Sequence, residues 1–370
     1  MSEGVEAMGE RRNPERELEE LRAEVDRVDR EILRLLNRRA DLVQRIGAVK
    51  RTSGLPFYAP HREEALVRRL QAENPGPFPG AAVRAVWKEI ISASLALETP
   101  LTVAYLGPPA TFTHQASLER FGFSARYHPA RTIADVFERV EKGKADYGVV
   151  PVENTAEGVV SHTLDSLLHS DLRIVAEVYL RVCHHLMNRS GRLDEVERVY
   201  SHPHALAQCR RWLGDHLPGA QVRESASTAE AARIASEDPS AAAVAARVAA
   251  EVYGLEIVES RIEDDPRNAT RFLVVGRDTP APTGRDKTSL VFAVNDEVGA
   301  LYRMLEPFYR HGVNLTKIES RPMPGEAWQY VFFVDCDGHE ADPHLAAALE
   351  ALRGRCRLFR VLGSYPRSGP

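Results

Sequence analysis

Leu18-Glu-Glu-Leu-Arg-Ala-Glu-Val-Asp-Arg-Val-Asp-Arg-Glu-Ile-Leu-Arg-Leu-Leu-Asn-Arg-Arg-Ala-Asp-Leu-Val-Gln-Arg-Ile-Gly-Ala-Val49 carries a seam at positions 18, 21, 25, 28, 32, 35, 39, 42, 46 and 49. The steps alternate between three and four, the spacing of a helix packed along its whole length. At 1.5 Å per residue such a helix is a rod of roughly 50 Å. A unit this small cannot cover the rod by folding back once, so the spacing predicts a dimer of intertwined long helices. A second helix is expected from about Pro60 to Ala72, ended by the Pro-Gly-rich stretch 74–80, and a third from about Ala81 to Glu98. Residues 15–98 therefore read as an all-α unit.

Residues 101–277 change character. β-rich runs at 101–106, 147–152, 173–182, 198–201, 241–245, 255–260 and 271–275 alternate with helical ones, which predicts an α/β unit with largely parallel sheets. A helix opening at Thr132 before one run echoes another opening at Thr228, and the echo suggests two similar lobes with a cleft between them. Residues 278–287 are a linker by composition. The last unit, 288–365, reads β-α-β-β-α-β, the ferredoxin-like arrangement.

The 370 residues carry 48 Lys+Arg against 53 Asp+Glu, a net charge of −5, which argues against nucleic-acid binding. No apolar run approaches the ~20 residues that span a bilayer. The acidic, polar start has no apolar signal region, and a cytoplasmic enzyme is the expectation. Four scattered cysteines imply neither a disulfide framework nor a zinc site. The pairs His184-His185 and His202/His204 lack the acidic or thiolate partners that would complete a metal site, so no metal is expected.

Chemistry appears first as a fault in the helical seam: position 39 is Arg39, and a buried arginine needs an anionic partner. Lys50 falls on nearly the same helix face. Arg22 lies off that face and would serve a different pocket. Arg62-Glu63 opens the second helix, and Ser94 and Glu98 share a face of the third. These residues resemble the motif of the small all-helical chorismate mutases, which are intertwined dimers. The resemblance implies that Arg22 reaches across from the partner chain. It further implies that Arg22, Arg39 and Arg62 hold the substrate carboxylates, and that Lys50 and the residue at 98 address the ether oxygen. Glu63 and Ser94 complete the set. A pericyclic rearrangement needs preorganised cations and not a nucleophile, metal or cofactor. Ala59 stands where some relatives carry Asp.

In the α/β unit four polar islands sit at strand ends: Gly107-Pro-Pro-Ala-Thr-Phe-Thr-His114, Pro151-Val-Glu-Asn-Thr-Ala-Glu-Gly158, Ser201-His-Pro-His-Ala-Leu-Ala-Gln-Cys209 and Asn268-Ala-Thr-Arg-Phe272. Together they point to a cleft site. They resemble prephenate dehydratase, a two-lobed fold like the periplasmic binding proteins. The resemblance implies that Thr270 helps protonate the departing hydroxyl as CO2 is lost. It places Glu153, Asn154 and Gln208 in the site, with Thr111 and Thr113 near the carboxylates. Thr155, Ser201, Asn268, Arg271 and Phe272 would contact substrate. Ala110 and His204 depart from the residues common in that family.

The last unit resembles an ACT regulatory domain through Gly299-Ala300-Leu301 and Glu319-Ser320-Arg321-Pro322. That resemblance implies L-phenylalanine bound between two such domains of a homodimer or larger oligomer, its polar end held near Asn295 and Gly299. The combined expectation is a bifunctional enzyme that turns chorismate into prephenate and then phenylpyruvate, inhibited by L-phenylalanine. An arogenate-preferring dehydratase and a non-catalytic amino-acid sensor on the same fold remain open at this point.

Overall fold

The computed structural model describes residues 14–53, 60–294, 297–322 and 330–368. Ala59, Trp328 and Asn295 lie outside the described residues. The helical unit is α1 (Pro14–Ser53), α2 (Pro60–Glu73) and α3 (Gly80–Glu98). The predicted seam is real, but within one chain it has little to pack against: Leu18, Val25, Ile32 and Leu42 are each about half exposed. The C-terminal part of α1 meets α3, where Gly47 is buried against Glu98.

The first lobe of the α/β unit comprises β1 (Thr102–Leu106), α4 (Phe112–Phe121), β2 (Arg126–Ala130), α5 (Ile133–Glu141), β3 (Tyr147–Asn154), β4 (Gly158–Val159), α6 (Ser161–His169) and β5 (Arg173–Arg181). Thr132 and Asp135 form a reciprocal cap that starts α5, each side chain bonded to the other's backbone N–H at 3.1 Å. The second lobe holds β6 (His185–Asn188), β7 (Arg198–Ser201), α7 (Pro203–Gln208), α8 (Arg210–His216), β8 (Gln221–Glu224), α9 (Thr228–Glu237), β9 (Ala241–Ala245), α10 (Arg247–Tyr253) and β10 (Glu256–Ser260). Alanines at 229, 231, 232 and 235 pack against 241, 243 and 245, so small side chains let α9 lie close on the sheet.

The chain then returns to the first lobe as β11 (Ala269–Gly276). The first sheet runs β2-β1-β3-β11-β5, with β4 on β3, and the second β10-β6-β9-β7-β8. The expectation of largely parallel sheets needs correction. β1 pairs in parallel with β2 and β3, but the returning β11 is antiparallel to both β3 and β5, and β6 is antiparallel to β9 and β10. A strand re-entering from the other lobe arrives pointing the opposite way.

The third unit is β12 (Asp286–Ala293), α11 (Ala300–Arg310), β13 (Leu315–Pro322), β14 (Tyr330–Asp337), α12 (Pro343–Arg353) and β15 (Leu358–Pro366), in the antiparallel order β13-β14-β12-β15. Asp286 and Lys287, placed in the linker by composition, begin β12 and are buried. Val291, Val331, Phe333, Leu362 and Tyr365 of this sheet share one apolar core with Val150, Ile174 and Leu273 of the first lobe. Gly363 of β15 lies so near β5 that a Cβ there would sit 2.2 Å from the Ile174 carbonyl oxygen.

Candidate active sites

Between α1, α2 and α3 lies a cavity of about 640 Å³ whose lining includes Arg39, Lys50, Arg62, Glu63, Ser94 and Glu98. One helical wall supplies Arg39 and Lys50, and apolar Leu42, Val43 and Ile46 lie between them. Arg39 donates to the Ser94 hydroxyl, which donates in turn to the Ile90 carbonyl at 2.6 Å. Burial lowers the Arg39 pKa and the nearby Glu98 carboxylate opposes that shift. Glu98 Oε2 is buried and has no hydrogen-bond partner among the described residues. The backbone of Gly47 makes room for it, since a Cβ at 47 would lie 2.9 Å from Glu98 Cγ. Burial raises Glu63 to about 7, against the pull of Arg120 and Lys50. Arg120 is on α4 of the neighbouring unit, 3.6 Å from the Glu63 carboxylate, a neighbour no sequence spacing announces.

Arg22 does not join this set. It is exposed on α1, seventeen residues before Arg39, which is about 25 Å along the helix.

A second constellation sits where β3 and β11 end side by side. Their register pairs Thr270 with Asn154 and Arg271 with Glu153. The Asn154 amide donates to Thr270 Oγ1 at 2.7 Å, while Asn154 Oδ1 accepts from the backbone N–H groups of Ala156 and Glu157. Those two contacts fix which end of the amide faces the threonine. Thr155 Oγ1 donates to Asn268 Oδ1 at 3.1 Å, and Asn268 Nδ2 donates to Gln208 Oε1 at 2.9 Å. His184 Nε2 lies 2.9 Å from the same Gln208 oxygen, with its Nδ1 buried and unpartnered among the described residues. Burial lowers the His184 pKa, with the Gln208 hydrogen bond opposing that shift. The polar chain thus runs from the first lobe through Asn268 to α7 of the second. In the sequence His184 shows only as half of a His-His pair, with nothing to mark Gln208 as its partner.

Other expected residues make contacts of their own. The Ser201 hydroxyl donates to the Val244 carbonyl inside the second sheet. Phe272 is core, packed with Val103, Tyr105 and Val274. Thr111 caps α4, accepting from the His114 N–H and donating to the Leu106 carbonyl, and Thr113 is buried on the same helix. Arg271 turns away from Thr270: its guanidinium meets Glu177 at 2.9 Å, Asp335 at 2.5 Å and the Tyr365 hydroxyl at 2.9 Å. Glu153 also faces the third unit, 2.6 Å from Lys317 Nζ.

In that unit Gly299 starts α11 in the left-handed conformation, with φ of +75°. Ala300 is buried and Leu301 packs against the unit's core. Glu319, Ser320 and Arg321 lie on the edge strand β13, and Arg321 pairs with Asp165 of α6 at 3.1 Å.

Three families match in the order of these units: chorismate mutase type II over residues 21–99, prephenate dehydratase over 103–280 and the ACT domain over 288–354. The chain is 53% identical over 356 residues to the bifunctional chorismate mutase/prephenate dehydratase of Aquifex aeolicus, covering 95% of this chain and 98% of that protein. It is 45% identical over 345 residues to the Neisseria gonorrhoeae enzyme of the same description, covering 92% and 95%. Among solved structures, the Arthrobacter aurescens prephenate dehydratase in complex with L-Phe is similar with a TM-score of 0.66 at 39% identity, covering 72% of this chain and 90% of that one. A cation-lined helical cavity, an Asn-Thr pair at a two-lobed cleft and a ferredoxin-like third unit thus occur together in a chain that belongs to the bifunctional chorismate mutase/prephenate dehydratases.

Proposed function

We propose that the helical cavity rearranges chorismate to prephenate and that the cleft beside Asn154 and Thr270 converts prephenate to phenylpyruvate. Arg39 and Arg62 hold the substrate carboxylates, while Lys50 and Glu98 face the breaking ether bond. The convergence of Arg39, Lys50, Arg62, Glu63 and Glu98 on one cavity supports this assignment. Cations fixed before substrate arrives stabilise charge growing on oxygen without reorganising in the transition state. Arg22 completes the site from a second copy of the chain, whose long helix covers the exposed seam of α1.

In the second reaction the geometry of Thr270 supports its role. Its oxygen accepts the Asn154 amide proton, so its own O–H is left to donate to a ligand in the cleft. There it donates to the departing hydroxyl as the carboxylate leaves as CO2 and the ring becomes aromatic. Gln208, Asn268, Thr155 and His184 bridge the lobes and hold the cleft's shape. Prephenate is the substrate we favour over arogenate, following the relatives' names. L-Phenylalanine bound near Gly299 and Glu319 inhibits this step, a reading supported by the L-Phe complex of the Arthrobacter enzyme. The functional domains are residues 15–98, 101–277 and 288–365, in a cytoplasmic enzyme that forms a homodimer or higher homo-oligomer.

The test is separability. Arg39→Ala removes mutase turnover and leaves dehydratase turnover, and Thr270→Ala does the reverse. Parallel loss of both activities in either folded variant refutes the assignment.

A further inference from the structure

Two strands end at the dehydratase site, and their two faces carry different chemistry. On a regular strand successive side chains point to opposite faces. Arg271 accordingly points away from Thr270, toward the ACT sheet. Glu153, directly opposite Arg271 in the antiparallel register, shares its face. The β3–β11 register jumps from Glu153↔Arg271 to Pro151↔Phe272, so Val152 has no opposite number. This bulge lies just beyond the Glu153–Arg271 pair and leaves the two on one face.

Lys317 and Asp335 await them on the ACT unit, and those two are themselves register partners across β13 and β14. Glu153 meets Lys317 at 2.6 Å and Arg271 meets Asp335 at 2.5 Å. The result is a quartet in which each charge has an opposite charge both beside it and across the junction. Its dehydratase half is the peptide-bonded neighbour of Asn154 and Thr270.

We infer that Lys317 and Asp335 of the ACT unit are positioning residues for prephenate dehydration, acting through Glu153 and Arg271 to hold Asn154 and Thr270 in place. The inference rests on the assignment of the cleft to that reaction. It recasts Glu153 and Arg271 as residues that work from behind the site without touching prephenate. A contact of this kind changes how well the Asn154–Thr270 pair is aligned for the transition state. It therefore acts on kcat more than on ground-state binding.

The experiment is steady-state kinetics on the full-length protein. Lys317→Met is expected to lower dehydratase kcat about tenfold with the prephenate KM within about twofold, and Lys317→Arg to restore most of the loss. Glu153→Gln should give the same loss, and the Lys317→Met/Glu153→Gln double variant should be no worse than either single. Glu153→Gln removes a charge from a partly exposed pair, so it supplies an independent readout should Lys317→Met prove poorly folded by thermal melting. Wild-type kcat in Lys317→Met, or a double variant whose loss is the product of the singles, overturns the inference. A Glu153→Gln loss far larger than that of Lys317→Met also overturns it, because the carboxylate would then act on substrate directly. Thr270→Ala, run alongside, separates the two claims. Retained dehydratase activity there sinks the cleft assignment, whereas an inactive Thr270→Ala with a normal Lys317→Met sinks this inference alone.

Discussion

Replacing Arg120 with Gln, a change inside the dehydratase fold, should move the pH profile of the mutase. Glu63 lines the mutase cavity and burial raises it to about 7, with Arg120 and Lys50 lowering it and Glu64 adding to the rise. The guanidinium lies 3.6 Å from the carboxylate, and about a fifth of each side chain is exposed. At that distance the Coulomb energy is about 1 kcal/mol with water-like screening and about 4–5 kcal/mol at an effective dielectric of 20. Taking the lower end because of the exposure, and about 1.4 kcal/mol per pH unit, loss of Arg120 raises the Glu63 midpoint by about one unit. An ionised carboxylate can accept a hydrogen bond from a substrate hydroxyl; with Glu63 in that role, mutase activity should rise with pH through about 7 in the wild type and about one unit higher in Arg120→Gln. Glu63→Gln should lack that limb. Stability follows the same linkage. The folding contribution of neutral Glu63 is fully present below its unfolded pKa and is lost as pH rises through about 7. The assay is mutase kcat/KM from pH 5 to 9, which reports groups of the free enzyme, with dehydratase turnover as control. A limb unmoved by Arg120→Gln, or one that persists in Glu63→Gln, refutes the reasoning.

Glu98→Gln should raise mutase kcat/KM at alkaline pH, because an amide donates at any pH whereas a carboxylate donates only when protonated; superimposable pH profiles would remove the donor role. Ile32→Asp places a charge on the exposed seam of α1, so it should disrupt chain association and lower mutase turnover. Sedimentation velocity checks the first effect and a chorismate assay the second. Glu319→Ala should weaken L-phenylalanine inhibition at least about fivefold while preserving turnover, given the usual size of coupling free energies; inhibition curves for both proteins would show it.

The long helix was legible because the three-and-four spacing of its seam never lapses, and Arg39 stood out as the one charged residue on it. The Ala241–Ala245 strand was equally plain, since a strand buried on both faces is a continuous apolar run. Strands β2 and β8 escaped notice because they are edge strands whose side chains are mostly exposed. Strand β6 is wholly buried, yet its His185 and Asn188 disguise it. Lys287 looked like linker because the acid that justifies it, Glu177, is 110 residues away in sequence and 2.8 Å away in space. At the dehydratase site the motifs were readable and the faces were not. Asn154 and Thr270 meet at the cleft, whereas Glu153 and Arg271 turn their backs on it. That division follows from the register that sets Asn154 opposite Thr270 and Glu153 opposite Arg271, a pairing of strands far apart in the sequence that composition does not reveal.

The apolar core shared by the first lobe and the ACT sheet bears on how the chain comes apart. Three units can be drawn along the sequence, but Val150, Ile174 and Leu273 are covered from one side by Val291, Phe333, Leu362 and Tyr365. At Gly363 the two backbones touch with no space for a methyl group. Elements packed this way open together, as one foldon. Amide exchange in β5, β11 and β15 should therefore share a single opening free energy, whereas the sparsely packed N-terminal half of α1 exchanges on its own. A protease that nicks between residues 278 and 285 would cut the chain without releasing a fragment.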